Sequence, residues 1–178
     1  AIKLCCPHLK VWNESKFRIS RHAMDMSSNQ DNKDLLETEC PYGQAVLIKS
    51  RPKTRQIDLI TYDEEKKTIC SYEIKRGGGH HDSEKQEKIL ENLFAVRLLL
   101  KSYGIKKGLE VEKARSYIIS HMNQELFSPD YRFFQIDGKE INEHFKADVM
   151  SSLEEGYSYF TSEFKKKFNE LKRLANQF

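Results

Sequence analysis

An α/β fold, a central mixed β-sheet flanked by helices, is what this sequence predicts, and three stretches predict it. Gln56 to Lys75 reads as two strands joined by the charged turn Asp63 to Lys67. Asp82 or Ser83 to about Tyr103 reads as a long apolar helix, and Ala114 to His121 as a further strand. The short turn allows only antiparallel pairing, whereas the helix supplies the crossover that a parallel pair requires.

The first of these stretches, QIDLITYDEEKKTICSYEIK, organises the rest. Successive strand side chains point to opposite faces, so Glu73 and Lys75 share one face roughly 6.6 Å apart while Ile74 points away from it. Hairpin pairing brings Asp58 of the first strand near Glu73 of the second. Two close carboxylates repel and raise one another's pKa, so such a pair waits for a divalent cation or a proton. The plainer alternative is a cross-strand charge pair on a solvated face, worth a fraction of a kcal/mol. Asp58 set in an apolar strand, with Gly77-Gly78-Gly79-His80-His81 directly after Arg76, favours a site.

Asp58, Glu73 fifteen positions on, then Ile74 and Lys75 resemble the core of the PD-(D/E)xK nucleases. That superfamily includes many restriction endonucleases, Holliday-junction resolvases and RecB-type nuclease domains. The resemblance covers roughly Asp31 to His121, and the family's proline before the aspartate is here Ile57. It implies a restriction-endonuclease-like core and a metal-dependent DNA endonuclease, with Mg²⁺ as cofactor and Mn²⁺ as its substitute. Asp58, Glu73 and the carbonyl of Ile74 would hold the metal, and Lys75 would orient or activate the attacking water. In such folds a glutamate on the helix before the first strand often completes the metal site. Glu37 and Glu39 are the candidates, two solvated helix acids being the alternative. Lys85 and Gln86, at the start of the long helix, would assist DNA binding, together with Arg76. A non-catalytic nuclease-like DNA-binding or assembly module is the second reading, and an unrelated α/β protein with surface acids the third.

Composition sets the bounds. A chain of 178 residues suits a single domain over residues 1–178. Charged residues make up 32% and the net charge is only +3, so binding of a polyanion must come from local patches. Lys49, Arg51, Lys53 and Arg55, alternating around Pro52, form one such patch and could grip phosphates or be an ordinary solvated turn. The four cysteines lack regular spacing, which points to a reducing compartment. Cys5, Cys6, His8 and His22 make a poor zinc set, because the cysteines are adjacent and no C-x₂-C recurs. Without an apolar run of membrane-spanning length or a signal-peptide core, a soluble cytoplasmic protein is expected.

The remaining elements follow in order. The first thirty residues suggest a short strand or helix. Ser28 or Asn29 would cap a helix from Asp31 to Glu39, stopped by Cys40-Pro41-Tyr42-Gly43. Gln44 to Lys49 would be the first strand of the meander, and Gly104 would break the long helix. Arg132 to Ile136 is a candidate last strand. Glu140 to Leu153 and Tyr157 to Ala175 read as two helices around Gly156. In the second of these, Phe160, Phe164, Phe168, Leu171 and Leu174 recur at helical spacing, a row suited to packing in a core or a dimer. Two long helices carry more apolar surface than one five-stranded sheet covers, which predicts a homodimer.

Overall fold

The computed structural model describes residues 1–28, 38–43, 47–48, 51–75, 83–120, 127, 129–138 and 140–175. A five-stranded mixed sheet forms its centre, with helices on both faces. Strand order is β1 (Leu9–Arg18), β4 (Thr54–Asp63), β5 (Thr68–Lys75), β6 (Lys113–Ser120) and β7 (Gln135–Asp137). The first three pair antiparallel, and β5, β6 and β7 pair parallel. This is the sheet that a hairpin followed by a helical crossover dictates.

The expected meander has a different first strand. Leu9–Arg18 runs antiparallel to β4 along nearly its whole length. Within the stretch expected to lie there, β2 (Leu47–Ile48) instead pairs with β3 (Arg51–Pro52) in a two-stranded hairpin outside the main sheet. Pro52 offers no N–H to a ladder, so this run is suited to an edge and not to a central meander. The proposed helix up to Glu39 lies mostly outside the described residues, and residues 38–40 have no regular structure. Cys40 instead donates its backbone N–H to the Leu98 carbonyl at 2.7 Å. The first thirty residues, expected to hold a short strand or helix, contain besides β1 the helix α2 (Arg21–Ser27), which begins at Ser20, whose hydroxyl accepts the Ala23 N–H at 3.1 Å as an N-cap.

Helix α3 (Ser83–Lys106) covers one face of the sheet and is buried on several sides, as its broad apolar surface requires. It passes through Gly104 without breaking. A Cβ there would lie 2.7 Å from Val111 Cγ2 and 3.1 Å from Ile69 Cδ1, so the glycine permits close packing on the sheet. The stop comes at Gly108, in the left-handed region at φ +80°, where Leu109 N–H returns to the Gly104 carbonyl at 3.1 Å.

On this first face, Phe17, Ile60, Tyr62 and Ile69 meet Leu98, Leu99 and Tyr103 of α3. On the other, Tyr72, Ile119 and Ile136 meet Cys6, Phe145 and Val149, so both faces of the central strands are buried. Cys6 follows α1 (Ile2–Cys5), which packs on this second face with the C-terminal helices. The candidate strand Arg132 to Ile136 is mostly a 3₁₀ turn, Pro129–Phe134, leaving β7 only three residues long.

The C-terminal helices also divide differently from expectation. The short α4 (Ile141–Phe145) ends at left-handed Lys146, φ 51°, and α5 (Val149–Ala175) then runs continuously through Gly156. A glycine in a helix interior costs only about 1 kcal/mol relative to alanine, and here nothing lies near it. No helix among the described residues is long and apolar enough to cross a membrane.

Candidate active site

Strand β1 carries two register shifts, between Trp12 and Glu14 and between Glu14 and Phe17, opposite Ile60 to Arg55 of β4. Bulges bend a strand and increase its twist. Over this same stretch the β4–β5 ladder ends: its pairing runs from Asp63 and Thr68 to Leu59 and Tyr72. Strand β5 stays paired to β6 as far as Lys75 and Ser120. A fork therefore opens between β4 and β5, at the carboxyl end of the parallel strands, where open α/β sheets commonly bind ligands.

Asp58 and Glu73 stand on the two prongs of this fork. Asp58 Oδ2 accepts the backbone N–H of Ile74 at 2.9 Å, a group that would otherwise look toward β4 for a ladder bond. Lys75 lies on the same face of β5 as Glu73, and its ammonium is hydrogen-bonded to Glu73 Oε1. Both side chains of that pair are partly accessible, at 30% and 38%. A cavity of about 120 Å³ opens here, lined by Arg55, Gln56 and Asp58 from β4, Glu73 from β5 and Asn92 from α3.

Asn92 was not singled out by sequence, yet its Oδ1 accepts a hydrogen bond from the Arg55 guanidinium. Lys88, one turn earlier on α3, was missed too. Burial, helped by the nearby charges of Arg55 and Lys88 and opposed by Glu91, lowers the Lys53 ammonium from its ordinary pKa. Lys53 is thus close enough to feel both Arg55 and Lys88, and cations brought together in this way gain from a phosphate between them. Only the helical register of α3, which sequence gives loosely, could have added Lys88 and Asn92 to the set.

The other sequence candidates are distributed as follows. Lys85 and Gln86 occupy the first turn of α3, about 9 to 10.5 Å along the helix from Asn92 on its N-terminal side. Glu39 is bonded to Lys101 Nζ at 2.8 Å, about 13 Å along α3 from Asn92 on its C-terminal side. It joins the Lys101 end of the helix rather than the fork. Glu37, Lys49 and Arg76, and the side chain of Arg51, lie outside the described residues. Among the described residues no three His, Cys, Asp or Glu side chains group to hold a metal ion. The fork offers a pair of carboxylates.

A larger cavity, about 530 Å³, lies on the opposite face of the sheet against His144, Tyr117, Arg115, Cys70 and Tyr72. Tyr72 Oη and His144 Nε2 are 3.0 Å apart, and the Tyr72 and Tyr117 rings stack at 5.8 Å. Burial pushes the Cys70 thiol up to about 11 and the Tyr72 phenol well above its ordinary value, so neither is a nucleophile near neutral pH. Two acids in its lining, Asp63 and Glu112, are tied to Lys66 and Lys67. The fork is therefore the stronger chemical candidate despite its smaller volume.

Comparison with protein families, curated proteins and solved structures finds no match for this chain.

Proposed function

We propose that the protein is a metal-dependent DNA endonuclease with a restriction-endonuclease-like core, and that the fork between β4 and β5 is its active site. One observation carries the reading: Asp58 and Glu73 face one cavity from adjacent strands, with Lys75 bonded to Glu73. Mg²⁺ is commonly bound through one or two carboxylates, completed by waters and substrate phosphate, so this donor pair fits the ion. When bound, the metal would offset charge on the phosphate and polarise it toward attack. Lys75 donates hydrogen bonds that orient the water; as the water adds to phosphorus the P–O bond to the leaving alkoxide breaks, and the proton the water loses passes through solvent to that alkoxide. Lys53, Arg55 and Lys88 hold flanking phosphates and offset the repulsion between carboxylates and a polyanion. Cleavage then depends on all three groups at the fork, while affinity depends mainly on the basic rim.

A second reading, a nuclease-like module that binds DNA without cutting it, is favoured by one feature. Each carboxylate already has a protein partner, Ile74 N–H for Asp58 and Lys75 for Glu73, as a purely structural pair would. Incubation with plasmid, linear, branched and single-stranded DNA in Mg²⁺, Mn²⁺ or chelator separates the two. Metal-dependent cuts with mapped ends support the nuclease; retarded but intact DNA in every condition supports the module.

A further inference from the structure

Helix α5 begins inside the protein and leaves it. Val149, Met150 and Leu153 pack into the second core. Along the same stripe, Tyr157, Phe160, Phe164, Phe168 and Leu171 follow at intervals of three and four residues, and all are exposed. Phe160 and Phe164 are 66% and 60% accessible and Leu171 64%. Rings of Phe160, Phe164 and Phe168 stack in sequence, centroids 6.2 Å apart at each step, into one aromatic ridge. By contrast most apolar residues of α3 are buried within the chain, Ile105 near its end excepted, so among the described residues the contiguous apolar surplus lies on α5. A contiguous apolar ridge of this size on a protein surface marks an interaction site.

The distribution of charge selects the occupant. The N-terminal part of the helix and its cap carry Asp148, Glu154 and Glu155 with no cation before Lys165. Farther along come Lys165, Lys166, Lys167, Lys172 and Arg173. There Glu163 and Glu170 are bonded within the helix to Lys166 and Lys167, at 2.6 and 3.1 Å, which leaves a basic end. Parallel pairing with another copy would set each basic end against its like. Antiparallel pairing sets acid against base.

We propose that α5 is the interface of an antiparallel homodimer, with the two-fold axis at Phe164. In that register Phe164 meets Phe164 of the second copy, Phe160 meets Phe168, and Tyr157 meets Leu171. Glu154 comes beside Lys172 of the second copy on the flank of the stripe, while Glu155 and Arg173 point away from it on the outer faces of the two helices. Every large apolar residue of the exposed stripe thus finds an apolar partner, as an isologous interface requires. Tyr157 also closes an apolar groove of about 320 Å³ formed with Ile2, Leu59, Ile74, Val149 and Leu153. Leu171 of the second copy is delivered to its mouth. Asp58 lines that groove as well, so dimer formation places the end of one chain's α5 beside the other's fork. The pairing itself does not depend on what reaction the fork performs.

Sedimentation of the full chain from below one to tens of micromolar tests it. The expected particle has twice the 20.9 kDa chain mass. Phe164→Glu, which sets two like charges at the axis, should yield monomer with unchanged far-UV circular dichroism from the sheet. Glu154→Lys, which sets like charges together at both symmetry-related flank contacts, should weaken dimerisation severalfold. Adding Lys172→Glu to that chain should restore it, which only antiparallel pairing allows. This charge exchange decides the matter if the Phe164 variant fails to fold. Monomer at all concentrations, a larger assembly, or no recovery on exchange would overturn the proposal. A monomer that sediments with phosphatidylserine vesicles would likewise overturn it and assign the ridge to a lipid surface.

Discussion

Asp58 Oδ2 and the backbone N–H of Ile74 meet at 2.9 Å across the point where β4 and β5 part. The carboxylate there does the work of a missing ladder bond. Asp58→Asn can still accept through its amide oxygen, whereas Asp58→Ala cannot. Denaturant unfolding should therefore find Asp58→Asn within about 0.5 kcal/mol of wild type and Asp58→Ala about 1 kcal/mol less stable. Cleavage should be lost in both. A stability loss as large in Asn as in Ala would mean that the bond to Ile74 does not hold the fork.

In the proposed mechanism Lys75 is the group whose role separates most cleanly from metal binding. Lys75→Met should retain metal and DNA affinity to within a few-fold yet lose at least about 100-fold in single-turnover rate. Ca²⁺ should support DNA binding without turnover in the wild type, because its looser coordination places the water poorly. Calorimetry for the ion, fluorescence anisotropy for DNA and quenched-flow cleavage check the three parts. A Lys75→Met variant that fails to bind metal would mean that the ammonium holds Glu73 in place for the ion instead.

The rim residues should act on affinity and its salt dependence. Each phosphate neutralised contributes about 0.9 to the slope of log affinity against log salt on duplex DNA. Replacing Lys53, Arg55 and Lys88 together by Gln should flatten that slope by roughly 2 to 3, with little change in saturating cleavage rate. An unchanged slope would leave these cations in solvent.

How much of this was legible is best seen at individual residues. Strand parity alone placed Glu73 and Lys75 on one face, and hairpin pairing put Asp58 opposite them, because both depend only on neighbours in sequence. The fork was not legible. It follows bulges in β1, more than forty residues upstream, where apolar residues at Leu9, Val11, Trp12 and Phe17 break the two-residue alternation that marks a strand. Gly104 was read as a stop, since a glycine's local meaning cannot distinguish a helix end from a close approach to Val111. The exposed α5 ridge was legible as an apolar stripe, but sequence could not show that the described residues leave it uncovered.

His144 should impose a pH dependence on stability. Burial, and then the Arg115 charge, hold its imidazole below the ordinary value of 6.5, with Glu140 in opposition. The folded state thus binds its proton less readily than the unfolded chain. Its contribution is complete above about pH 6.5 and is lost progressively as pH falls from there toward the folded value. Denaturant midpoints at pH 7.5, 6.5 and 5.5 should show the advantage of wild type over His144→Gln shrinking with acid. A gap that widens on acidification would reverse the sign assigned here.

The central claim is that the carboxylates at the fork hold a catalytic metal, and single-turnover cleavage of duplex DNA by wild type, Asp58→Asn and Glu73→Gln in Mg²⁺ tests it most directly. The account predicts cutting by wild type that stops in chelator, and a loss of at least about 100-fold in each variant with DNA binding retained. Wild-type rates in Asp58→Asn, or cleavage that persists in chelator, would contradict it.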